Sequence, residues 1–214
     1  MGDLTASQER ERIGVLGGTF DPPHLAHLAL GEAALEALEL DRVIFVPAGD
    51  PWRKAGRQVS PARQRLELVQ AAVGDLPWAE ASSLEVERPG PSYSQETLAA
   101  IRLERPEAGL WFILGADALG DMPHWHQPER IIELARLAVA TRPGAPNGHA
   151  QPLIPEALRE HFPGIDDRVD VVPMPEMDLS ATELRERLRR GEPTDGMLPA
   201  AVRALIDERG WYRD

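Results

Sequence analysis

Two histidines three residues apart stand behind a glycine pair in the run Gly17-Gly18-Thr19-Phe20-Asp21-Pro22-Pro23-His24-Leu25-Ala26-His27. On a helix that spacing places both imidazoles of His24 and His27 on one face. Gly17 and Gly18 carry no side chain to keep a phosphate from the backbone. Asp21, followed by two prolines, reads as a helix-start signal. The start of a helix offers N–H groups and a positive dipole end, which favour an anion. Two ordinary histidines on a helix cap would fit the spacing as well. Their place behind the Gly-Gly turn makes a polyphosphate site the reading adopted.

Further along, Ser180, Thr182 and Arg185 sit at the start of a predicted helix. Hydroxyls at the cap and an arginine one turn in make a second anion site, although Ser180 and Glu183 also fit a plain capping box. Arg53 and Lys54 end a turn-rich loop, as solvated charges or as site residues. Trp125 lies on a polar segment, where it is either a core residue or a platform for a flat ring. His124, His149 and His161 have no ligand spacing and read as surface residues, and residues 185–190 as a solvated arginine-rich face.

Positioning these groups requires a framework of strands and helices. Strands are predicted at residues 13–16, 43–46, 84–86, 110–114, 137–140 and 169–172. Helices are predicted over residues 25–38, from Ser60-Pro61 to about Val73, from 91–98 onward, over about 128–135, 181–190 and 199–209, with 144–155 as loop. The alternation implies an α/β fold, a Rossmann-like, mostly parallel sheet flanked by helices. A small C-terminal helical segment, residues 180–212, closes a single domain over residues 12–212, behind a frayed lead-in at 1–11. Ligands bind such sheets beyond the carboxyl ends of the strands, at the point where strand order reverses. Residues 17–27, 48–54, 115–117 and 178–185 all follow strands, so they are expected to converge there.

Composition narrows the chemistry. The 214 residues are 43% hydrophobic with a net charge of -12 and no cysteine. That excludes a disulfide framework or a thiolate metal site and disfavours general nucleic-acid binding. The polar start does not resemble a signal peptide, Ala6 breaks a myristoylation motif, and no apolar run is long enough to span a membrane, so a cytoplasmic protein is expected. Neither a G-x-G-x-x-G nor a P-loop sequence occurs.

The stretch from Gly18 to His27 resembles the GTFDPxHxGH signature of the nucleotidyltransferases that share a HIGH-type motif with class I aminoacyl-tRNA synthetases. Ala26 stands where that family has Gly. Leu179 to Arg185 resembles the family's IS-x-T-x-x-R motif, with Ser180, Thr182 and Arg185 in place. Residues 91–98, 115–125 and Arg142-Pro143-Gly144 are similar to motifs of one branch, the bacterial nicotinate-nucleotide adenylyltransferases. The loop has Pro51-Trp52-Arg53-Lys54 where that branch has Pro-Pro-His-Lys.

The resemblance, which spans about residues 12–212, implies adenylyl transfer from ATP to nicotinate mononucleotide, releasing pyrophosphate. It assigns His24, His27, Lys54 and Arg185 to catalysis. Gly17, Gly18, Thr19, Phe20, Gly115, Asp117, Ser180 and Thr182, with both histidines and Arg185, are expected around ATP. Tyr93, Ser94, Trp125, His126 and Arg142 are expected around the pyridine nucleotide. Mg²⁺ is expected to accompany ATP, and no nucleic-acid or membrane partner is expected. A homo-oligomer is left open. The alternatives are a sister transferase acting on nicotinamide mononucleotide or phosphopantetheine, and a non-catalytic nucleotide sensor on the same fold.

Overall fold

A computed structural model describes residues 10–52, 58–141, 154–174 and 177–213. The predicted Lys54 and Arg142 therefore lie outside the described residues, as do Arg53 and His149.

Strand β1 (Arg12–Gly18) is followed by α1 (Leu25–Ala37), β2 (Arg42–Pro47), α2 (Ala62–Val73) and the short β3 (Ala79–Ala81). The chain continues through α3 (Leu84–Glu87), α4 (Ser94–Glu104), β4 (Gly109–Gly115), α5 (Ala116–Asp121), α6 (Pro128–Leu134) and β5 (Arg136–Thr141). Helix α7 (Glu156–His161), β6 (Val169–Pro173), α8 (Ala181–Arg190) and α9 (Ala200–Arg209) complete it. The six strands pair in the order β3-β2-β1-β4-β5-β6, all parallel. The α/β, Rossmann-like arrangement expected from the alternation is thus the one observed.

Strict side-chain alternation divides the core in two. On one face Ile13, Val15, Ile44, Val46, Leu110, Phe112, Leu114, Leu137 and Val139 pack with Leu98 of α4, Leu119 of α5, Ile131 of α6 and Leu158 of α7. On the other, Leu16, Val43, Phe45, Ile113 and Ala138 meet Ala34 of α1 and Leu68 of α2, together with Leu184 of α8 and Ile206 of α9. Both faces are covered, so the strands read as nearly continuous apolar runs.

One predicted strand is overturned. Residues 84–86 lie in helix α3, and the third strand is Ala79–Ala81 instead. An edge strand of three small or polar residues gives almost no periodic signal, whereas Leu84 and Val86 suggested one where Ser83 starts a helical turn. Two short helices, α5 and α7, were not anticipated either; each has six residues.

The strand order reverses between β1 and β4. Their carboxyl ends, Gly18 and Gly115, flank the opening left where the chain departs toward opposite edges of the sheet. Close packing below that opening depends on Gly14 in β1. A Cβ there would lie 2.7 Å from Ile113 Cδ1 and 2.9 Å from Leu40 Cδ1. Gly14→Ala is therefore expected to destabilise the fold by about 1–3 kcal/mol through overpacking. A lower urea midpoint with an unchanged slope is the outcome to look for.

Candidate active site

A crevice of about 530 Å³ opens beside the reversal point. Its walls include Gly17, Gly18 and Thr19 at the end of β1, Ala48, Pro51 and Trp52 after β2, and Tyr93 and Ser94 at the start of α4. Phe112 of β4, Ala118 of α5, Trp125 and His126 close the far side. The rings are arranged around this space. Tyr93 stacks on His126 with centroids 4.1 Å apart, Trp52 approaches Tyr93 at 5.9 Å, and Trp125 stands edge-on to Phe112 at 6.0 Å. Trp125 packs against the core and also lines the crevice.

The glycine pair divides its work. Gly17 has only ordinary contacts around a notional Cβ, the nearest being Phe112 at 3.7 Å. Gly18 is constrained by packing, because a Cβ would meet three atoms of the Phe20 ring between 2.9 and 3.1 Å. Phe20 adopts a left-handed backbone, φ 49°, and is buried. Its ring touches Phe45 and the edge of His27. The Phe20 side chain is thereby committed to packing beneath the turn.

His24 caps α1 and His27 lies in the first turn, their rings 3.7 Å apart. The backbone N–H of His24 donates to His27 Nδ1 at 3.1 Å. With Nδ1 accepting, His27 carries its ring proton on Nε2, which is a donor. Burial lowers the pKa of His24 to about 4, so it is neutral near pH 7. The expected pairing of the two imidazoles is present. The expected row of open amides is not: the N–H of Leu25, first in the helix, donates to Met197 O at 2.9 Å. Fewer backbone N–H groups at the start of α1 are therefore open to an anion.

Asp21 does not cap α1 either. Its carboxylate is 3% exposed and accepts from Tyr212 Oη at 2.8 Å and from the Ser60 backbone N–H at 3.1 Å. Arg185 donates from Nη1 to the Asp21 carbonyl at 2.7 Å and from Nη2 to Thr182 Oγ1 at 3.3 Å. The α8 segment with Ser180, Thr182 and Arg185 thus reaches the histidine turn rather than the aromatic crevice. Gly115 caps α5, and Asp117 is exposed in its first turn; neither lines the crevice, where Ala118 stands instead.

Sequence reasoning missed the group that joins these loops. Arg65, 1% exposed, projects from α2. It donates to the carbonyls of Thr19 at 2.7 Å, Ala48 at 2.5 Å, Gly49 at 3.2 Å and Ser60 at 2.9 Å. Its signal was present: the inward positions of α2 are Arg65, Leu68, Val69, Ala72 and Val73, a helical stripe with one cation. Ser92 and Glu85 were missed too. Ser92 Oγ accepts from the N–H groups of Gly49 and Asp50, and its own proton is directed at Glu85. Glu85, buried, also faces Thr97 Oγ1 at 2.5 Å, and desolvation raises its pKa. Gly49 must be glycine here, since a Cβ would fall 2.1 Å from the Glu85 carbonyl oxygen.

Among the described residues no three His, Asp or Glu side chains gather as a metal site, and no helix is long and apolar enough to cross a membrane. The arrangement is an aromatic slot leading to a histidine turn backed by an arginine. It can seat a flat ring at one end and hold phosphates at the other.

Known proteins resemble the chain in sequence and in fold. Residues 15–187 match the Cytidylyltransferase-like family. A protein of Roseiflexus sp. (strain RS-1) named "Probable nicotinate-nucleotide adenylyltransferase" is 44% identical over 201 residues, covering 94% of this chain and 98% of its own. A protein of Thermomicrobium roseum with the same name is 40% identical, covering 94% and 92%. In fold, the chain resembles a Plasmodium falciparum nicotinic acid mononucleotide adenylyltransferase solved with NaAD. That likeness has a TM-score of 0.73 at 17% identity, over 95% of this chain and 98% of the other.

The buried His24 also ties stability to pH. An unfolded imidazole takes up its proton near 6.5, whereas the folded one does so only near 4. Between those values the unfolded chain binds more protons. The contribution is complete above pH 6.5 and is lost as pH falls toward 4. At pH 5 the loss amounts to about 2 kcal/mol. Urea unfolding at pH 7 and pH 5 is expected to show a stability difference that shrinks by about that amount in His24→Asn.

Proposed function

The chain belongs to the nicotinate-nucleotide adenylyltransferases, and on that premise we propose how its crevice joins ATP to nicotinate mononucleotide. The observation that carries the assignment is the His24–His27 pair at the strand-order reversal, adjoining an aromatic slot of about 530 Å³. The pyridine ring enters between Trp125 and the Tyr93–His126 stack, where ring contacts are worth roughly 1–3 kcal/mol. The first turn of the eleven-residue α4 opens at Ser94 in the same wall. Its dipole end favours the carboxylate of nicotinate over a neutral amide.

The mononucleotide phosphate is already an anion and needs no strong base. One of its oxygens attacks the α-phosphorus of ATP. A new O–P bond forms, the bond to the bridging oxygen breaks, and pyrophosphate leaves with that electron pair. Positioning and charge stabilisation supply the catalysis. His27, through Nε2–H, donates to an oxygen of the reacting phosphate, and neutral His24 fixes it by stacking. Arg185 adds positive charge from the α8 side, and Lys54 is assigned the same task from the loop after β2. Gly17, Gly18 and Thr19 bring backbone close to the nucleotide, with Gly115 and Asp117 beyond β4 and Ser180 and Thr182 at the start of α8. Mg²⁺ would accompany ATP as part of the substrate and would neutralise charge on its phosphates.

Pyrophosphate release, measured with ATP and each mononucleotide in turn, tests the assignment. Nicotinate mononucleotide is expected to exceed the nicotinamide form by at least about tenfold in kcat/KM. Equal rates, or none with the acid, would refute the substrate assignment. His27→Ala should lower kcat by about a hundredfold or more while the melting transition stays cooperative. Near-full turnover in that variant would remove His27 from the mechanism.

A further inference from the structure

We propose that Tyr212 is a positioning residue for the transfer reaction: its hydroxyl occupies the Asp21 carboxylate and so keeps Arg185 available to phosphate. The inference rests on the function proposed above and adds a residue outside the motifs named in the sequence.

Asp21 and Tyr212 are 191 residues apart, yet the phenol donates to Asp21 Oδ1 at 2.8 Å. The other carboxylate oxygen accepts the Ser60 N–H at 3.1 Å. Arg185 Nη1 lies 3.9 Å from that oxygen and makes its hydrogen bond to the Asp21 carbonyl instead, at 2.7 Å. The guanidinium is therefore near the carboxylate without a direct hydrogen bond to it. With one further bond to Thr182, it retains donors from its five N–H groups.

Buried charges set the balance. Asp21 is 3% exposed, and in that setting a carboxylate oxygen left without a donor is costly. Without the phenol, the nearest remedy is Arg185, whose guanidinium and the carboxylate would close into a bidentate pair. An arginine bound in that way is turned away from substrate and neutralised. The turn would be dragged with it, because Asp21 precedes His24 by only three residues. Tyr212 itself sits in a left-handed conformation, φ 61°, immediately after Trp211, which packs against the α8–α9 side of the core. Its backbone is held in an unfavourable region, consistent with tertiary contacts determining where the phenol lies.

The test is a double-mutant cycle on the full chain, read first by calorimetry with MgATP alone and then by pyrophosphate release. Tyr212→Phe is expected to weaken ATP binding about tenfold and to lower kcat about tenfold or more. KM for nicotinate mononucleotide, bound at the aromatic end, should stay within twofold. Adding Asp21→Asn removes the charge that captures Arg185, so the double variant should regain at least threefold in both ATP affinity and kcat. A purely structural role predicts the reverse, with losses that multiply and a mononucleotide KM that rises as well. Unchanged ATP affinity in Tyr212→Phe, or no recovery in the double variant, overturns the proposal. If Tyr212→Phe does not melt cooperatively, Asp21→Asn alone decides. ATP affinity within threefold of wild type supports the proposal, and a larger loss overturns it. Should ATP binding follow the expected cycle while nicotinate mononucleotide gives no pyrophosphate, the positioning role stands and the substrate assignment falls.

Discussion

A single buried guanidinium ties together two loops of the crevice. Arg65 meets the carbonyls of Thr19, Ala48, Gly49 and Ser60, and these belong to the turn after β1 and to both ends of the segment between β2 and α2. Backbone carbonyls turned into a protein interior must find donors. Here one side chain supplies them all, from a helix anchored in the core. Its positive charge is unfavourable in that position, and burial lowers its affinity for the proton. The nearby carboxylates of Asp21 and Glu85 offset part of that cost. Charge-assisted bonds to four carbonyls are stronger than neutral ones would be. Rigidity at the mouth of the crevice therefore originates in the core beneath it.

The same logic runs outward. Ser92 gathers the N–H groups of Gly49 and Asp50 and donates its own O–H to Glu85. Asp21 gathers Ser60 and Tyr212, and its carbonyl gathers Arg185. Carbonyls are served by arginines, and amides by a hydroxyl or a carboxylate. This division serves the backbone groups of Thr19, Asp21, Ala48, Gly49 and Ser60, which lie outside the regular helices and strands.

How much of this was legible beforehand depends on the range of each interaction. The strands and most helices were visible because alternation and 3.6-residue periodicity are local patterns with strong apolar residues behind them. The histidine turn was visible because its parts are contiguous. The aromatic wall was reached only through resemblance, since Tyr93, Trp125 and His126 come from two separated segments. Asp21 was misread because a carboxylate before two prolines fits a local cap, while its true partners lie 39 and 191 residues away. Arg65 could have been suspected from its place in an apolar stripe, but nothing local says which carbonyls it serves. The segment around Leu84 failed for another reason: three or four residues are too few for either period to register.

The order of the strands has a consequence for how the molecule comes into being. β1 sits at the centre of the sheet, but β4, its neighbour on one side, is encoded about a hundred residues later, and Tyr212 later still. At a synthesis rate of roughly 5–20 residues per second, on the order of ten to forty seconds separate the emergence of Asp21 from that of Tyr212. During that interval β1, β2 and β3 can assemble as a half-sheet with one long edge unpaired, the edge that β4 will later occupy. A nascent chain in this state exposes Ile13 and Val15 and cannot yet form the crevice. Function is thus deferred until Tyr212 has been made, and the waiting edge is where a chaperone would have its opportunity.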